Sequence, residues 1–298
     1  MFKKILIPLD GSANGEAVIP FATEIASRSG GELVLVTAVE QVGVWDATLS
    51  LQVLDRESEV ATEYLAEASK RAAERGVPVS TRIARGSAAE AILAAADESG
   101  ADLIAMTTHG RSGLTRWLFG SAATHILENA KVPLLVLRPK EGEDKGAPGP
   151  VVKKMIVPLD GSETAHSILP VVEEFAKLMG ASIVLYHAVA PISLYPGFEA
   201  GGSAALGEIV EDMQKQAREI LSRAANEITA RGVEATIAVS LGTAVEGVLA
   251  AADELKADLI AISTQGRSGI GRVVLGSVAD GVVRRSEDIP CLVIRPTV

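Results

Sequence analysis

The chain has 298 residues, of which 48% are hydrophobic and only 3% aromatic, and its net charge is −10. That length suggests about two domains with aliphatic cores of Ala, Val, Ile and Leu. The acidic balance argues against non-specific nucleic-acid binding, which needs a basic surface, and no apolar stretch reaches the ~18 residues of a membrane span.

In chain order, M-F-K-K leads directly into a short strand, so no secretory leader is expected. Residues 5–9 form an apolar run that reads as a buried strand. Asp10, Gly11 and Ser12 follow, types suited to a tight turn and a helix N-cap. Ala17, Val18, Phe21, Ala22 and Ile25 fall at helical spacing, and Gly30-Gly31 ends that helix. Residues 32–39 contain L-V-L-V, a second strand. Residues 55–75 predict a helix with Tyr64, Leu65, Ala68 and Ala72 on one face. A strand at 77–84, an Ala-rich helix at 88–98, a strand at 102–107, a short helix at 121–129 and a strand at 134–137 complete the series. Strand and helix alternate, the pattern of a parallel sheet covered on both faces. The segment K-E-G-E-D-K-G-A-P-G-P, 140–150, has charge, Gly and Pro without periodicity and reads as a linker.

The series then repeats. K-K-I-L-I-P-L-D-G-S at 3–12 returns as K-K-M-I-V-P-L-D-G-S at 153–162, with seven of ten positions identical at an offset of 150. Residues 88–110 align with 244–266 at an offset of 156, with 15 of 23 identical. The six additional residues of the second copy therefore fall between those blocks, and the Gly- and Ala-rich stretch 191–207 is the expected place. A period near 150 is a duplicated domain, not a solenoid unit. The expected division is 1–140, a linker at 141–152, and 153–298. The expected fold is α/β: two tandem copies of a five-stranded parallel-sheet, Rossmann-like sandwich.

Ligands of open α/β sheets bind beyond the carboxyl ends of the strands. After the first strand stands Asp10, or Asp160 in the second copy. After the fourth strand the copies read T-T-H-G-R-S-G (107–113) and S-T-Q-G-R-S-G (263–269), followed by Gly120-Ser121 and Gly276-Ser277 at a helix start. Gly110 lets backbone approach a ligand closely. The N–H groups at a helix start, with the helix dipole, favour a phosphate. Arg111 adds a guanidinium suited to phosphate oxygens. The Asp10 carboxylate can accept from a ribose hydroxyl or a base amine. Gly-rich turns and Asp-Gly-Ser caps also occur with no ligand, so recurrence in both copies is what gives the pattern weight. There is no P-loop sequence, and Gly269-Ile270-Gly271 fails the dinucleotide fingerprint at Val274.

The pattern G-x2-G-x9-G-[ST] after strand four, with Asp-x-Ser after strand one, resembles the universal stress protein family, and the chain is similar to a tandem member over nearly all its length. The first Gly of the pattern is Thr107 in one copy and Ser263 in the other. The resemblance implies a universal stress protein-type fold and an adenine nucleotide in each copy. Adenosine would lie against Pro8, Asp10 and Ala38, and against Pro158, Asp160 and Ala188. Phosphates would lie on Gly110, Arg111, Gly120, Ser121, Ala122 and Ala123, and on Gly266, Arg267, Gly276, Ser277, Val278 and Ala279. The implied cofactor is ATP, with any Mg²⁺ carried by its phosphates. Members pair through the last strand, so 134–137 and 292–294 are expected to pair within the chain, with a further homodimer and an unidentified protein partner left open.

Other residues carry less. His109 faces Gln265 in the second copy, which favours a hydrogen-bonding or spacer role over a general base. His125, His166 and His187 form no constellation, and no cluster has metal-ligand spacing. The single cysteine, Cys291, reads as a small buried strand residue, and one cysteine fits a reducing compartment, hence a cytoplasmic protein. The expected function is a nucleotide-dependent stress regulator rather than a fast catalyst. The alternatives are an ATP-hydrolysing or nucleotidyl-transferring enzyme, and a tandem scaffold that has lost its nucleotide.

Overall fold

A computed structural model describes residues 1–40, 47–108, 120–138, 151–190, 203–266, 275–286 and 288–296. It divides into two compact units, Met1–Val151 and Val152–Val298.

Unit 1 runs β1 (Lys4–Pro8), α1 (Ala13–Glu16), α2 (Ile19–Ser29), β2 (Glu32–Val39), α3 (Ala47–Ala73), β3 (Val79–Arg85), α4 (Ala88–Ser99), β4 (Leu103–Thr107), α5 (Ser121–Asn129) and β5 (Leu134–Leu137). Its strands lie in the order β3-β2-β1-β4-β5, and the pairs are parallel. Ile5, Leu6 and Ile7 are fully buried, as a central parallel strand covered on both faces requires. At the other end of the strand, the Asp102 carboxylate accepts from the Lys3 and Lys4 N–H groups, each at 3.0 Å, and pins the start of β1 beside β4.

Unit 2 repeats this as β6 (Lys154–Pro158), α6 (Glu163–His166), α7 (Leu169–Met179), β7 (Ser182–Val189), α8 (Ser203–Ala230), β8 (Ala235–Leu241), α9 (Ala244–Glu254), β9 (Leu259–Ser263), α10 (Ser277–Arg285) and β10 (Cys291–Ile294). The order is β8-β7-β6-β9-β10, again parallel. Asp258 takes the place of Asp102, accepting from the Lys153 and Lys154 N–H groups at 2.8 and 3.0 Å.

In this order the chain leaves the first strand toward one side of the sheet and later crosses to the other. The loops after β1 and β4 therefore diverge, as do those after β6 and β9. Each unit has its crevice at that switch point.

The structure differs from the sequence reading at the first helix. Each unit has two short helices there, α1 and α2 or α6 and α7, where one was expected. Pro20 and Pro170 sit in the first turn of the second helix, where a missing N–H costs nothing, and they start it afresh. The long helix α3 also begins earlier than expected, at Ala47. The expected insertion at 191–207 and the linker at 140–150 fall largely or wholly outside the described residues, as does His109.

Cys291 opens β10 fully buried, and burial pushes its thiol up to about 12. The thiol is therefore neutral and shielded at pH 8. A disulfide exchange reagent is expected to find no reactive thiol in the native protein and one per chain after denaturation. Fast labelling of the native chain would contradict this burial.

Candidate functional site

The site starts where β1 and β6 end. Gly11 and Gly161 both have φ of 83°, a left-handed turn that glycine accepts freely. That turn brings the next serine back over the aspartate. Ser12 donates to Asp10 Oδ1 from both its N–H (3.0 Å) and its hydroxyl (2.6 Å). Ser162 does the same to Asp160 Oδ1, at 2.9 and 2.6 Å. Each serine oxygen also caps the following helix, accepting from Gly15 N–H at 3.0 Å or Ala165 N–H at 3.1 Å. One serine thus fixes the aspartate and starts the helix at once.

The second part of the site follows β9. A Cβ added to Gly266 would lie 2.6 Å from Asp160 Oδ2, so the loop after the fourth strand meets the carboxylate that follows the first. Only glycine allows that approach. Ser263, in place of the first glycine of the motif, is buried and donates its hydroxyl to the Gln265 carbonyl at 2.6 Å. It also accepts from the Gln265 N–H at 3.2 Å, so it closes the loop by hydrogen bonds. Gly276 donates its N–H to the Thr264 carbonyl at 2.7 Å, tying the start of α10 to the same loop.

Gly276 is the N-cap of α10, extended at φ −61° and ψ 148°, with no side-chain cap. Gly120 caps α5 with nearly the same angles, −60° and 148°, and also without a side-chain cap. The first-turn N–H groups of both helices are therefore not consumed by a cap.

These pieces meet in unit 2 around one cavity of about 290 Å³. Pro158, Asp160 and Ala188 line it from the first two strands. Gly266 lines it from the loop, and Gly276, Ser277, Val278 and Ala279 from the helix start. Arg267 lies outside the described residues. In unit 1, Pro8 ends β1, Asp10 stands in the turn, and Ala38 pairs with Ala84 near the end of β2. Gly120, Ser121, Ala122 and Ala123 form the cap and first turn of α5. Gly110 and Arg111 lie outside the described residues.

The cavity wall also contains residues that motif reading missed, notably Tyr186 and His187. Tyr186 is two positions before Ala188 and shares its face of the strand. Its hydroxyl meets Ser240 Oγ at 2.6 Å, and burial raises its pKa. His187 Nδ1 is 2.6 Å from the Leu159 carbonyl, so Nδ1 carries the proton and donates. A second cavity of about 200 Å³ also has Asp160, His187 and Ala188 in its wall and extends to Met213 and Gln216 of α8. Strand alternation beside Ala188 was the signal available for Tyr186.

In unit 1 the hydroxyl oxygens of Thr37 and Tyr64 are buried, and that of Tyr64 lies against the Glu16 carboxylate. Thr37 immediately precedes Ala38. Burial first, and then the neighbouring carboxylates of Glu16 and Asp10, raise the Tyr64 pKa. Among the described residues no group of three or more His, Cys, Asp or Glu is placed to hold a metal ion, and no helix is long and apolar enough to cross a membrane.

The sequence profile of the universal stress protein family matches residues 1–138 and again 152–295. The chain belongs to the universal stress protein family. It is a tandem member, each unit carrying one match. A universal stress protein of Methanocaldococcus jannaschii is 33% identical over 151 residues, which cover 48% of this chain and 86% of that protein. Universal stress protein YxiE of Bacillus subtilis is 30% identical over 148 residues, 46% of this chain and 100% of YxiE. A universal stress protein from Archaeoglobus fulgidus superimposes with a TM-score of 0.73 over 99% of both chains; at 21% identity the likeness is one of fold.

The double use of the serine has a measurable consequence. Ser162→Ala removes the helix cap and the hydroxyl bond to Asp160, while the backbone N–H bond remains, and should cost about 1–2 kcal/mol in urea unfolding. Ser162→Thr, which keeps the hydroxyl, should recover most of the loss. Equal losses in the two variants would mean that the hydroxyl is not what holds the turn.

Proposed function

We propose that this universal stress protein binds an adenine nucleotide, ATP, in one site per unit and acts as a nucleotide-dependent regulator of a stress response. The observation that carries the reading is the cavity of unit 2: every residue expected to touch nucleotide there, Arg267 apart, borders it. Its chemistry suits the ligand. Pro158, Leu159, Ala188, Val248 and Ile262 give an apolar slot for a flat base. Asp160 is fixed where it can accept from a ribose hydroxyl or base amine. The N–H groups of Ser277, Val278 and Ala279, beyond an uncapped Gly276, suit phosphate oxygens. Gly110, Arg111 and Arg267 are proposed for the phosphates on the family pattern. Mg²⁺ would arrive with the phosphates and supply charge neutralisation there. Pro8, Asp10, Ala38, Gly120, Ser121, Ala122 and Ala123 are the proposed counterparts in unit 1.

Regulation is favoured over fast catalysis because no described residue pair at the site is arranged as nucleophile and base. The scaffold reading rested on Thr107 and Ser263 replacing a glycine. The bonds from Ser263 to Gln265 weaken it, because the serine is accommodated and holds the loop.

The test is to purify the full chain without added nucleotide, denature it and analyse what is released, then titrate the stripped protein with ATP by calorimetry. Adenine nucleotide approaching two per chain is expected. Asp10→Ala with Asp160→Ala should abolish binding while leaving the melting transition in place. A stripped wild-type protein that gives no heat with ATP would end the proposal. Binding retained by the double variant would remove the two carboxylates from the site.

A further inference from the structure

Because the chain contains its site twice, each copy is a reference for the other. Strands β2 and β7 align at an offset of 150, which sets Tyr186 against Val36. The elements from β3 and β8 onward align at 156, which sets Ser240 against Ala84 and Gly247 against Ala91. These three differences converge on one spot. The Tyr186 hydroxyl lies 2.6 Å from Ser240 Oγ. A Cβ on Gly247 would collide with that hydroxyl and lie 3.4 Å from the Ala188 side chain. The alanine that stands at this position in α4 is therefore not tolerated in α9 while Tyr186 keeps its place.

Gly247 lies inside helix α9, where glycine is a poorer choice than the alanine of the other copy. Unit 2 thus carries a helix-weakening glycine and a serine that together seat one tyrosine. Tyr186 is almost completely buried, yet it is part of the wall of the cavity, beside Ala188. Unit 1 has only Val36, Ala84 and Ala91 there, all small, apolar and buried.

We propose that Tyr186, seated by Ser240 and Gly247, sets the affinity of unit 2 for the base of the nucleotide and makes the two sites of the chain unequal. The proposal rests on the nucleotide reading given above. The buried Tyr186 ring borders the slot and can give a base an aromatic edge, an attraction Val36 does not supply. The Ser240 bond and the room left by Gly247 fix the ring before the ligand arrives, so none of its freedom is lost on binding. Unit 2 is the tighter site and unit 1 the weaker.

The experiment is calorimetric titration of the stripped full chain with ATP, with Asp160→Ala used to silence unit 2 and so assign the classes. Wild type should show two classes of site that differ by roughly tenfold, the size of one base–aromatic contact. Tyr186→Val with Ser240→Ala and Gly247→Ala installs the set that packs in unit 1; it should give a single, weaker class of two sites. The reciprocal variant, Val36→Tyr with Ala84→Ser and Ala91→Gly, should give a single tighter class. Tyr186→Phe keeps the ring and should retain the tighter class to within about threefold. Two filled wild-type sites of equal affinity would overturn the proposal. So would two classes persisting in the unit-1-like variant, or a loss in Tyr186→Phe as large as in the triple variant. Wild-type protein that gives no heat at all would instead remove the nucleotide reading. Thermal melts of each variant separate lost binding from lost fold.

Discussion

An aspartate gripped by the serine two residues after it is the constraint on which each unit's site depends. Asp160 Oδ1 receives two bonds from Ser162, and the same serine oxygen starts α6. The carboxylate therefore cannot swing without loosening the helix. Its other oxygen faces Gly266, where even a methyl group would collide. The loop after β9 is thus shaped around the carboxylate, and the start of α10 is tied to that loop through Thr264. Position passes from the end of one strand to the end of another through backbone contacts and one short side chain. The same grip of Ser12 on Asp10 recurs in unit 1, with closely similar distances and the same φ of 83° at the preceding glycine.

Much of this was legible in the sequence because it depends on local rules. The bounds of β2, β5 and α5 follow from a β-branched run, a short apolar run and a Gly-Ser cap, and the structure has them at Glu32–Val39, Leu134–Leu137 and Ser121–Asn129. Strand-helix alternation implies a parallel sheet because parallel strands need crossovers. The split first helix was less visible. Residues 17, 18, 21, 22 and 25 keep helical spacing across the break, and Pro20 is compatible with either a helix start or a kink.

The site was legible where backbone chemistry dictates residue type and opaque where side chains meet across elements. Asp, Gly and Ser at the strand ends announce turns and caps. Tyr186 announces only a buried strand residue, and Gly247 only a weak point in a helix. Their relation depends on the β7–β8 register, which sets Ala188 against Ser240, and on α9 packing over β7. Comparison of the two copies recovers the pair, because a large residue and the small one that admits it change together. Ser263 teaches a related lesson. As a departure from a glycine motif it reads as damage, whereas its hydroxyl replaces conformational freedom with two hydrogen bonds.

The solitary Cys291 gives the chain a practical property. With its one native thiol buried within β10, a cysteine placed on the surface of either unit becomes the sole attachment point for a probe. A second placed on the other unit yields a pair with no reactive native thiol competing. Spectroscopic rulers can then be mounted on an otherwise unaltered sequence, and the separation of the units followed in solution as ligand is added.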